Sequence, residues 1–274
     1  MNFDEVDASV RQALDEQKLY YKCRAQDYDA NLARIVNAPL SCDSLGGLPS
    51  GSLSSGRSSQ PKDNDATSQT SQEIDGLANQ LAREIDQVLT VFDQVQLGEH
   101  VLELASGTGN WTQRIVKRVD RVTAIESSIE MVAAAIAKLG EESNKVRFVV
   151  KDIFDAGADC TYDSIVFGFW ISHVPKKRMA YFCSMVSKWL KPGGQLFFVD
   201  DKAPTEVRSM AQDDSSHIDR YELRQTAQDQ NYRIIKNYYT SDELEKLFAD
   251  QGLVVTVSST KRFFQYATGS KPNR

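Results

Sequence analysis

The sequence predicts an α/β fold built on a parallel sheet, and two observations carry that prediction. First, short apolar segments near residues 101, 121, 146 and 162 alternate with amphipathic helical patterns, which is typical of successive βαβ units. Second, a glycine-containing turn at residues 105–109 separates the first apolar segment from the next helical pattern. Because right-handed crossovers bring the carboxyl ends of parallel strands to one edge, we expect ligands to bind at that edge.

Length and composition narrow the class of protein. A chain of 274 residues suits one α/β domain with additions. The formal net charge is −6, and no long Lys/Arg cluster is present, so nucleic acid is not an expected partner. The four cysteines and three histidines lack metal-ligand spacing, and we expect no bound metal. We expect a cytoplasmic protein with no membrane contact, because the sequence shows neither a secretory signal nor a run of ~18 apolar residues. The oligomeric state cannot be read from the sequence.

Composition divides the chain into three parts. Residues 1–40 carry helically spaced apolar positions and are predicted to form an N-terminal helical cap of two helices, with a bend near residues 19–24. Residues 41–72 are rich in Ser, Gly, Asp and Thr and are predicted to be a flexible insertion. Helical periodicity resumes at residue 73, and residues 73–274 are predicted to form the main domain.

Several elements of the main domain can be delimited. The helices are expected at 111–119, 128–139 (N-capped by Ser127 or Ser128), 176–190 and 242–251 (capped by Thr240 or Ser241). Residues 201–240 are predicted to be a substrate-cap insertion, with a helix near 216–228 and a strand near 232–236; a partner-binding surface is the alternative. A closing hairpin is expected from 253–258 and 263–268.

The turn after the first strand has an acidic residue upstream, in the pattern Glu103-x-Ala105-x-Gly107-x-Gly109. The glycines allow a sharp turn and let main-chain N–H groups approach a ligand closely. A dinucleotide-binding fingerprint would have a third glycine where Thr112 stands. The pattern instead resembles the first motif of the class I S-adenosylmethionine (SAM) dependent methyltransferases.

Three further segments match this family in the required order. Glu126 ends the second strand, where the family binds both ribose hydroxyls; Asp152 follows the third, where the family binds the adenine amino group. The segment 190–199, with its Lys-Pro-Gly-Gly turn, resembles the approach to the fifth strand. The resemblance implies a Rossmann-like, seven-stranded, mostly parallel sheet with an antiparallel last strand. It also implies SAM as cofactor and S-adenosylhomocysteine (SAH) as product.

The resemblance also implies a set of cofactor contacts. Ser127 stands where the family often has an apolar residue on adenine, and Ile153 is expected to supply that surface. The backbone carbonyls of Phe167 and Gly168 are expected to receive the ammonium group of SAM. The complete set expected to bind the cofactor is Tyr21, Arg24, Tyr28, Glu103, Ala105, Ser106, Gly107, Thr108, Gly109, Glu126, Ser127, Met131, Asp152, Ile153, Phe167 and Gly168.

The acceptor site is expected beside the fourth strand. Tyr20, Phe169, Trp170 and His173 are the predicted substrate contacts. His173 is the histidine expected at this edge, and we interpret it as a catalytic base or hydrogen-bond partner for the acceptor. If it is the base, the rate is expected to fall as the pH drops through the imidazole range near ~6.5. A histidine that only structures the loop is the alternative.

The sequence therefore predicts a SAM-dependent methyltransferase, an enzyme of class EC 2.1.1, that acts on a small molecule. Methylation of a protein side chain is one alternative, and a non-catalytic SAM-binding regulator or scaffold is another. Whether O, N, S or C is methylated cannot be read from these residues.

Overall fold

The computed structural model describes residues 8–25, 29, 64–157, 160–204 and 218–273. Its helices are α1 (Ala8–Arg24), α2 (Asn64–Gln94), α3 (Thr112–Ile115), α4 (Ile129–Leu139), α5 (Lys176–Trp189) and α6 (Ser241–Ala249). Its strands are β1 (His100–Leu104), β2 (Arg121–Glu126), β3 (Val146–Val150), β4 (Tyr162–Gly168), β5 (Leu190–Asp201), β6 (Tyr221–Gln225), β7 (Asn231–Ile235), β8 (Val254–Ser259) and β9 (Phe264–Ser270).

One seven-stranded sheet organises the domain. Its strand order is β3-β2-β1-β4-β5-β9-β8, and β1 to β5 pair in parallel. Strand β9 runs antiparallel to both of its neighbours, β5 and β8. The predicted Rossmann-like sheet with an antiparallel last strand is confirmed. The order reverses between β1 and β4, and at such a switch point the connections leave in opposite directions and open a crevice at the carboxyl ends of the strands.

Both faces of the sheet are covered, as parallel sheets require. On β5 the consecutive residues Phe197 and Phe198 point to opposite faces. Phe197 lies 5.0 Å from Phe92 of α2, measured between ring centroids, and Phe198 stacks on Phe167 at 5.2 Å. Each fully buried Phe contributes roughly 1.5–3 kcal/mol relative to an exposed one. The core thus fixes the strand ends that form the site.

Two of the predicted helix caps have the expected geometry. The Ser128 hydroxyl accepts a hydrogen bond from the Met131 amide at 3.2 Å at the start of α4. Thr240 begins α6 with a capping box, in which its side chain and that of Glu243 each bond the other's backbone N–H. The helix expected over 111–119 is regular only over the four residues of α3.

The N-terminal part differs from the prediction. Helix α1 is continuous through residues 19–24, where a bend was expected, and Tyr20 in this stretch is buried against Tyr232 and Ile234 of β7. Polar side chains one turn earlier also bond β7. The Glu16 carboxylate accepts from the Arg233 amide at 2.8 Å, and the Gln17 side-chain oxygen accepts from the Ile235 amide at 3.1 Å. The predicted second helix lies outside the described residues.

The boundary of the Ser-rich insertion also needs correction. Helix α2 begins at Asn64, nine residues before the predicted return of order at residue 73 (73 − 64). Residues 64–72 are polar, so their composition concealed the extension of the same helix. Residues 41–63 lie outside the described residues.

The cap insertion contains a hairpin where a helix was expected. Strands β6 and β7 pair antiparallel from Tyr221 opposite Ile235 to Gln225 opposite Asn231, so the prediction of a helix near 216–228 is wrong. Asp229 adopts a φ of 59°, and the Thr226 amide donates to the Gln230 carbonyl at 2.9 Å. This tight turn favours the hairpin over a helix. The strand expected near 232–236 is present as β7.

Candidate active site

A pocket opens at the carboxyl ends of β1 to β4, and α1 covers it. It encloses about 880 Å³ of space between atoms, counting its opening to solvent. Helix α1 contributes side chains at spacings of three and four residues, which lie on one helical face: Leu14, Gln17, Lys18 and Tyr21. The remaining walls are Ala105, Gly107, Ile125, Glu126, Ser127, Met131, Lys151, Asp152, Ile153, Phe154, Gly168, Phe169, Trp170, His173 and Arg178.

The turn after β1 provides both space and packing. Gly107 has a φ of 54°, in the left-handed region, and a Cβ placed on it would meet no atom within 4 Å. A Cβ on Gly109 would lie 3.0 Å from the Cβ of Ala135. Gly107 therefore keeps space open beside the turn, while Gly109 allows α4 to approach it closely.

Glu126 ties this turn to the end of β2. One carboxylate oxygen accepts from the Gly107 amide at 3.0 Å, and the other accepts from the Ser128 amide at 2.9 Å and the Ser127 hydroxyl at 3.3 Å. The side chain is buried yet borders the pocket. The motif has thus placed a carboxylate at the pocket wall, held by the backbone of the two loops that flank it.

Glu103 is a buried carboxyl next to this site. It is 1% exposed, and its Oε2 atom has no hydrogen-bond partner among the described residues. Burial raises its pKa to about 8, against the lowering effect of the hydroxyl and amide of Thr112, and the charge of Glu126 adds to the rise. At neutral pH Glu103 is therefore mostly protonated, and a nearby cation would favour its ionised form.

Asp152 lies at the opposite wall, after β3. Its Oδ1 atom accepts from the Phe154 amide at 3.0 Å, and its Oδ2 atom lies 2.8 Å from the Lys18 ammonium of α1. Ile153 and Met131 add buried apolar surface to the same part of the pocket. Through this ion pair, Asp152 links helix α1, which we call the lid helix, to the pocket wall after β3.

Aromatic side chains dominate the end of the pocket after β4. Phe169 has a φ of 55°, and its amide donates to the Val199 carbonyl at 2.7 Å, which anchors the loop to β5. Trp170 and Phe154 line the same end, and the Arg178 guanidinium lies 4.9 Å above the Phe154 ring. This end combines apolar walls with one cation.

His173 lies in this loop and is buried. Its Nδ1 atom is 2.7 Å from the Ile235 carbonyl, and its Nε2 atom is 2.8 Å from the Tyr21 hydroxyl. Because a carbonyl only accepts, Nδ1 carries the proton and Nε2 accepts from Tyr21. Burial, followed by the charge of Lys236, lowers the pKa of His173 to about 3. The expected titration near ~6.5 is therefore wrong for this environment.

Comparisons with known proteins agree with this geometry. A methyltransferase-domain family model matches residues 101–194. An uncharacterized methyltransferase of Geobacillus thermodenitrificans is 28% identical over 192 residues, which cover 65% of this chain and 79% of that protein. A solved DhpI complex with SAM and HEP is 26% identical, has a TM-score of 0.68, and covers 94% of this chain and 97% of its own. A DhpI complex with SAH is 25% identical, with a TM-score of 0.66 and coverages of 96% and 99%.

The chain thus contains a methyltransferase domain over residues 101–194 and has the Rossmann-like fold of solved SAM-dependent methyltransferases. SAM and SAH are bound in the two DhpI complexes, and SAM is the cofactor that the sequence resemblance implies for this chain. The residues present fit this cofactor, since Gly107 leaves open space beside the turn and Glu126, Met131 and Ile153 line one pocket.

Several residues expected to contact SAM in this methyltransferase do not line the pocket. Phe167 is stacked in the core, and the Thr108 hydroxyl donates to Asp29 at 2.9 Å. The Arg24 guanidinium donates to the Tyr20 hydroxyl at 2.9 Å. Tyr20, which was predicted to contact the substrate, does not line the pocket either and is buried against Tyr232. Glu103, Ser106 and Gly109 also lie outside the lining, and Tyr28 lies outside the described residues.

The structure adds pocket residues that the sequence did not predict. Leu14, Gln17 and Lys18 share the helical face of Tyr21, so their spacing was a usable signal. Lys151, Phe154 and Arg178 gave no such signal, because each lies beside a motif without belonging to it.

A buried lysine lies behind the loop that contains His173. The Lys236 ammonium lies 2.6 Å from an Asp201 oxygen, 2.9 Å from the Ser172 hydroxyl and 3.6 Å from an Asp200 oxygen. These carboxylates raise the pKa of Lys236 despite its burial, so the ammonium stays charged.

The described residues contain no group of three or more His, Cys, Asp or Glu that could hold a metal ion. None of the helices described for this chain is long and apolar enough to cross a membrane.

Proposed function

We propose that this methyltransferase transfers the methyl group of SAM to a small-molecule acceptor. The observation that carries the proposal is the covered pocket. It lies at the carboxyl ends of the parallel strands, where open α/β sheets bind small ligands, and helix α1 forms one of its walls. Cofactor and acceptor would share that space, and α1 closes it from above, so a side chain on a folded protein would meet the lid helix first.

The residues divide into those that hold SAM and those that shape the acceptor space. Glu126 would bind the ribose hydroxyls, Asp152 and Ile153 the adenine, and the turn at Gly107 the methionine portion. SAM supplies a methyl group already activated by its sulfonium. The chain must then align the acceptor with that methyl group and exclude water, and such positioning can supply several kcal/mol of the barrier.

The acceptor end favours a compound with a small apolar part and a polar group. Phe169 and Trp170 would contact the apolar part, and the Arg178 guanidinium is placed at the same end for a polar or anionic group. HEP, which the DhpI complex contains, is the first compound to test as acceptor.

The test uses purified protein and methyl-labelled SAM. The protein is incubated with HEP, with the small-molecule fraction of a cell extract, and with the protein fraction of the same extract. Label in HEP or in the small-molecule fraction supports the proposal. Label only in the protein fraction favours side-chain methylation, and SAM binding without transfer to any fraction favours a SAM-binding regulator.

A further inference from the structure

We propose that the Tyr21 hydroxyl contacts the methyl acceptor and that His173 is a positioning residue that holds Tyr21 for this purpose. The inference rests on the proposed function and deepens it, because it names the side chain that meets the acceptor. It replaces the interpretation of His173 as the group that itself acts on the acceptor.

The first argument is the geometry of the pair. The Tyr21 hydroxyl and the His173 Nε2 atom are 2.8 Å apart, and their rings meet edge to face at 5.5 Å. Both side chains line the pocket together with Phe169 and Trp170. Tyr21 comes from the lid helix and His173 from the loop after β4, so the pair closes the acceptor end from two sides.

The second argument is that both partners are fixed by a single residue. The Ile235 carbonyl accepts from His173 Nδ1 at 2.7 Å, and the Ile235 amide donates to Gln17 of α1 at 3.1 Å. Gln17 stands one helical turn before Tyr21 on the same face of α1. The end of β7 therefore sets the position of the imidazole and of the helix that carries the phenol.

The third argument is the direction of the hydrogen bond. With Nδ1–H directed at a carbonyl, the neutral imidazole presents only an acceptor at Nε2. The Tyr21 hydroxyl must then donate the hydrogen bond to His173 Nε2. Toward its other neighbours the Tyr21 oxygen acts as a hydrogen-bond acceptor. Such an oxygen can accept a hydrogen bond from an O–H or N–H group. A methyl acceptor that is an alcohol or an amine carries such a group.

The charges around His173 keep the imidazole in this role. Lys236 from the end of β7 and Arg224 from β6 lower its pKa, while the Ile235 carbonyl and Asp201 of β5 raise it. Burial outweighs all of these, and the pKa of about 3 leaves His173 neutral throughout the physiological range. A group that is so weakly basic orients its partner and does not keep a proton released by the acceptor.

The test is a double-mutant cycle with the acceptor identified as above. Tyr21→Phe should lower kcat/KM for the acceptor by about tenfold to a hundredfold, with SAM affinity changed by less than about threefold. His173→Gln should give a loss of similar size, and the double variant should be no worse than Tyr21→Phe. Tyr266→Phe removes a half-buried phenol hydroxyl from β9, outside the pocket, and should match the wild type.

Independent losses that multiply in the double variant would show that His173 acts on its own and would overturn the inference. So would normal kcat/KM for Tyr21→Phe. Absence of methyl transfer to any small molecule contradicts the proposed function as well, whereas transfer that is indifferent to Tyr21 contradicts this inference alone.

Nitrogen NMR of the SAH complex gives a readout that does not depend on His173 variants. In the wild type the Nε2 atom of His173 should be unprotonated at pH 7 and show no titration above about pH 5. Tyr21→Phe should shift the Nε2 resonance, because its hydrogen bond is lost. A doubly protonated imidazole at pH 7, or a resonance unchanged by Tyr21→Phe, would contradict the arrangement.

Discussion

The pocket has a proposed cofactor end, around Gly107 and Glu126, and a proposed acceptor end, around Tyr21 and His173. The two ends are built from contacts of different range along the chain. At the cofactor end, Glu126 bonds the Gly107 amide across 19 residues. At the acceptor end, Tyr21 meets His173 across 152 residues, and Gln17 meets Ile235 across 218. The cofactor end follows from how neighbouring strands terminate, whereas the acceptor end exists only once α1 and the hairpin of β6 and β7 have docked.

The two ends also differ in how firmly they are held. The strands at the cofactor end are buried in the large core, while α1 is attached by a small apolar cluster around Tyr20, by hydrogen bonds and by the ion pairs of two exposed lysines, Lys18 and Lys22. Exposed ion pairs contribute only about 0–1 kcal/mol each. We therefore expect α1 to open locally at a lower free energy than the sheet, so that the acceptor end is the adaptable part of the site.

The largest expected effect concerns the space beside the glycine turn. Gly107→Leu should weaken SAM binding by at least about a hundredfold, roughly 3 kcal/mol, because the new side chain would occupy the open space that faces the pocket. Calorimetric titration with SAM measures this loss.

Gly252→Leu is the matched control for this variant. Gly252 also has a positive φ, and a Cβ placed on it would meet no atom within 4 Å, but it follows α6, outside the pocket. Both variants should lose about 1–2 kcal/mol of stability from backbone strain, and Gly252→Leu should bind SAM normally. Equal loss of SAM binding in both would mean that strain, not space, decides the result.

The second effect is a proton linked to cofactor binding. Burial raises the pKa of Glu103 to about 8 from an ordinary value of 4.5. The ammonium and sulfonium of SAM favour its ionised form, so binding should release a proton, and affinity should rise by up to about tenfold per pH unit between about pH 5 and 8. Titration in buffers of different ionisation enthalpy measures the released proton, and Glu103→Gln should abolish it.

The same shift has a consequence for stability without SAM. Because the folded pKa lies above the unfolded one, the contribution of Glu103 is fully present below about pH 4.5 and is lost as the pH rises through about 8. Glu103→Gln should therefore flatten the fall in melting temperature over that interval. A pH dependence identical to that of the wild type would show that Glu103 is ionised in the folded protein.

The difference between the two ends explains what the sequence could predict. Glu126 and Asp152 follow directly from strand ends and lie at the pocket as expected, because their position depends on local pattern and parallel topology. The position of His173 at the edge was predictable, but its bond to Tyr21 was not. That bond depends on where α1 docks, and nothing in the spacing of residues 20 to 28 specifies the face it presents.

The prediction of a helix in the cap insertion failed for a related reason. Tyr221 to Gln225 carries charged and polar residues that read equally well as an exposed helix, and its strand character comes from pairing with β7 and from the turn at Asp229. Strand preference depends on the surroundings more than helix preference does, so such a segment is determined by its partner.

A smaller effect should separate the two ion pairs of α1. Lys18→Met removes the bond to Asp152 at the pocket wall, whereas Lys22→Met removes the bond to Glu130 outside the lining. Lys18→Met should cost about 0.2–1 kcal/mol of stability and change SAM affinity by about threefold, whereas Lys22→Met should leave SAM affinity unchanged. Stopped-flow measurement of SAM association would show whether the lid opens faster. Equal effects of the two variants on SAM would mean that α1 acts as one rigid cover.

The smallest expected effect concerns the segment before α2. The Ser-rich composition of residues 41–72 predicts a flexible insertion, of which residues 43–63 precede α2. Replacing these residues with a Gly/Ser segment of equal length keeps the span and should change the free energy of unfolding by less than roughly 0.5 kcal/mol, since a flexible loop contributes through its length and not its composition. Thermal unfolding and SAM titration measure both quantities. If the variant instead loses SAM affinity while its melting temperature stays the same, these residues contact the cofactor end of the pocket. The cofactor end would then depend on a long-range contact, as the acceptor end does.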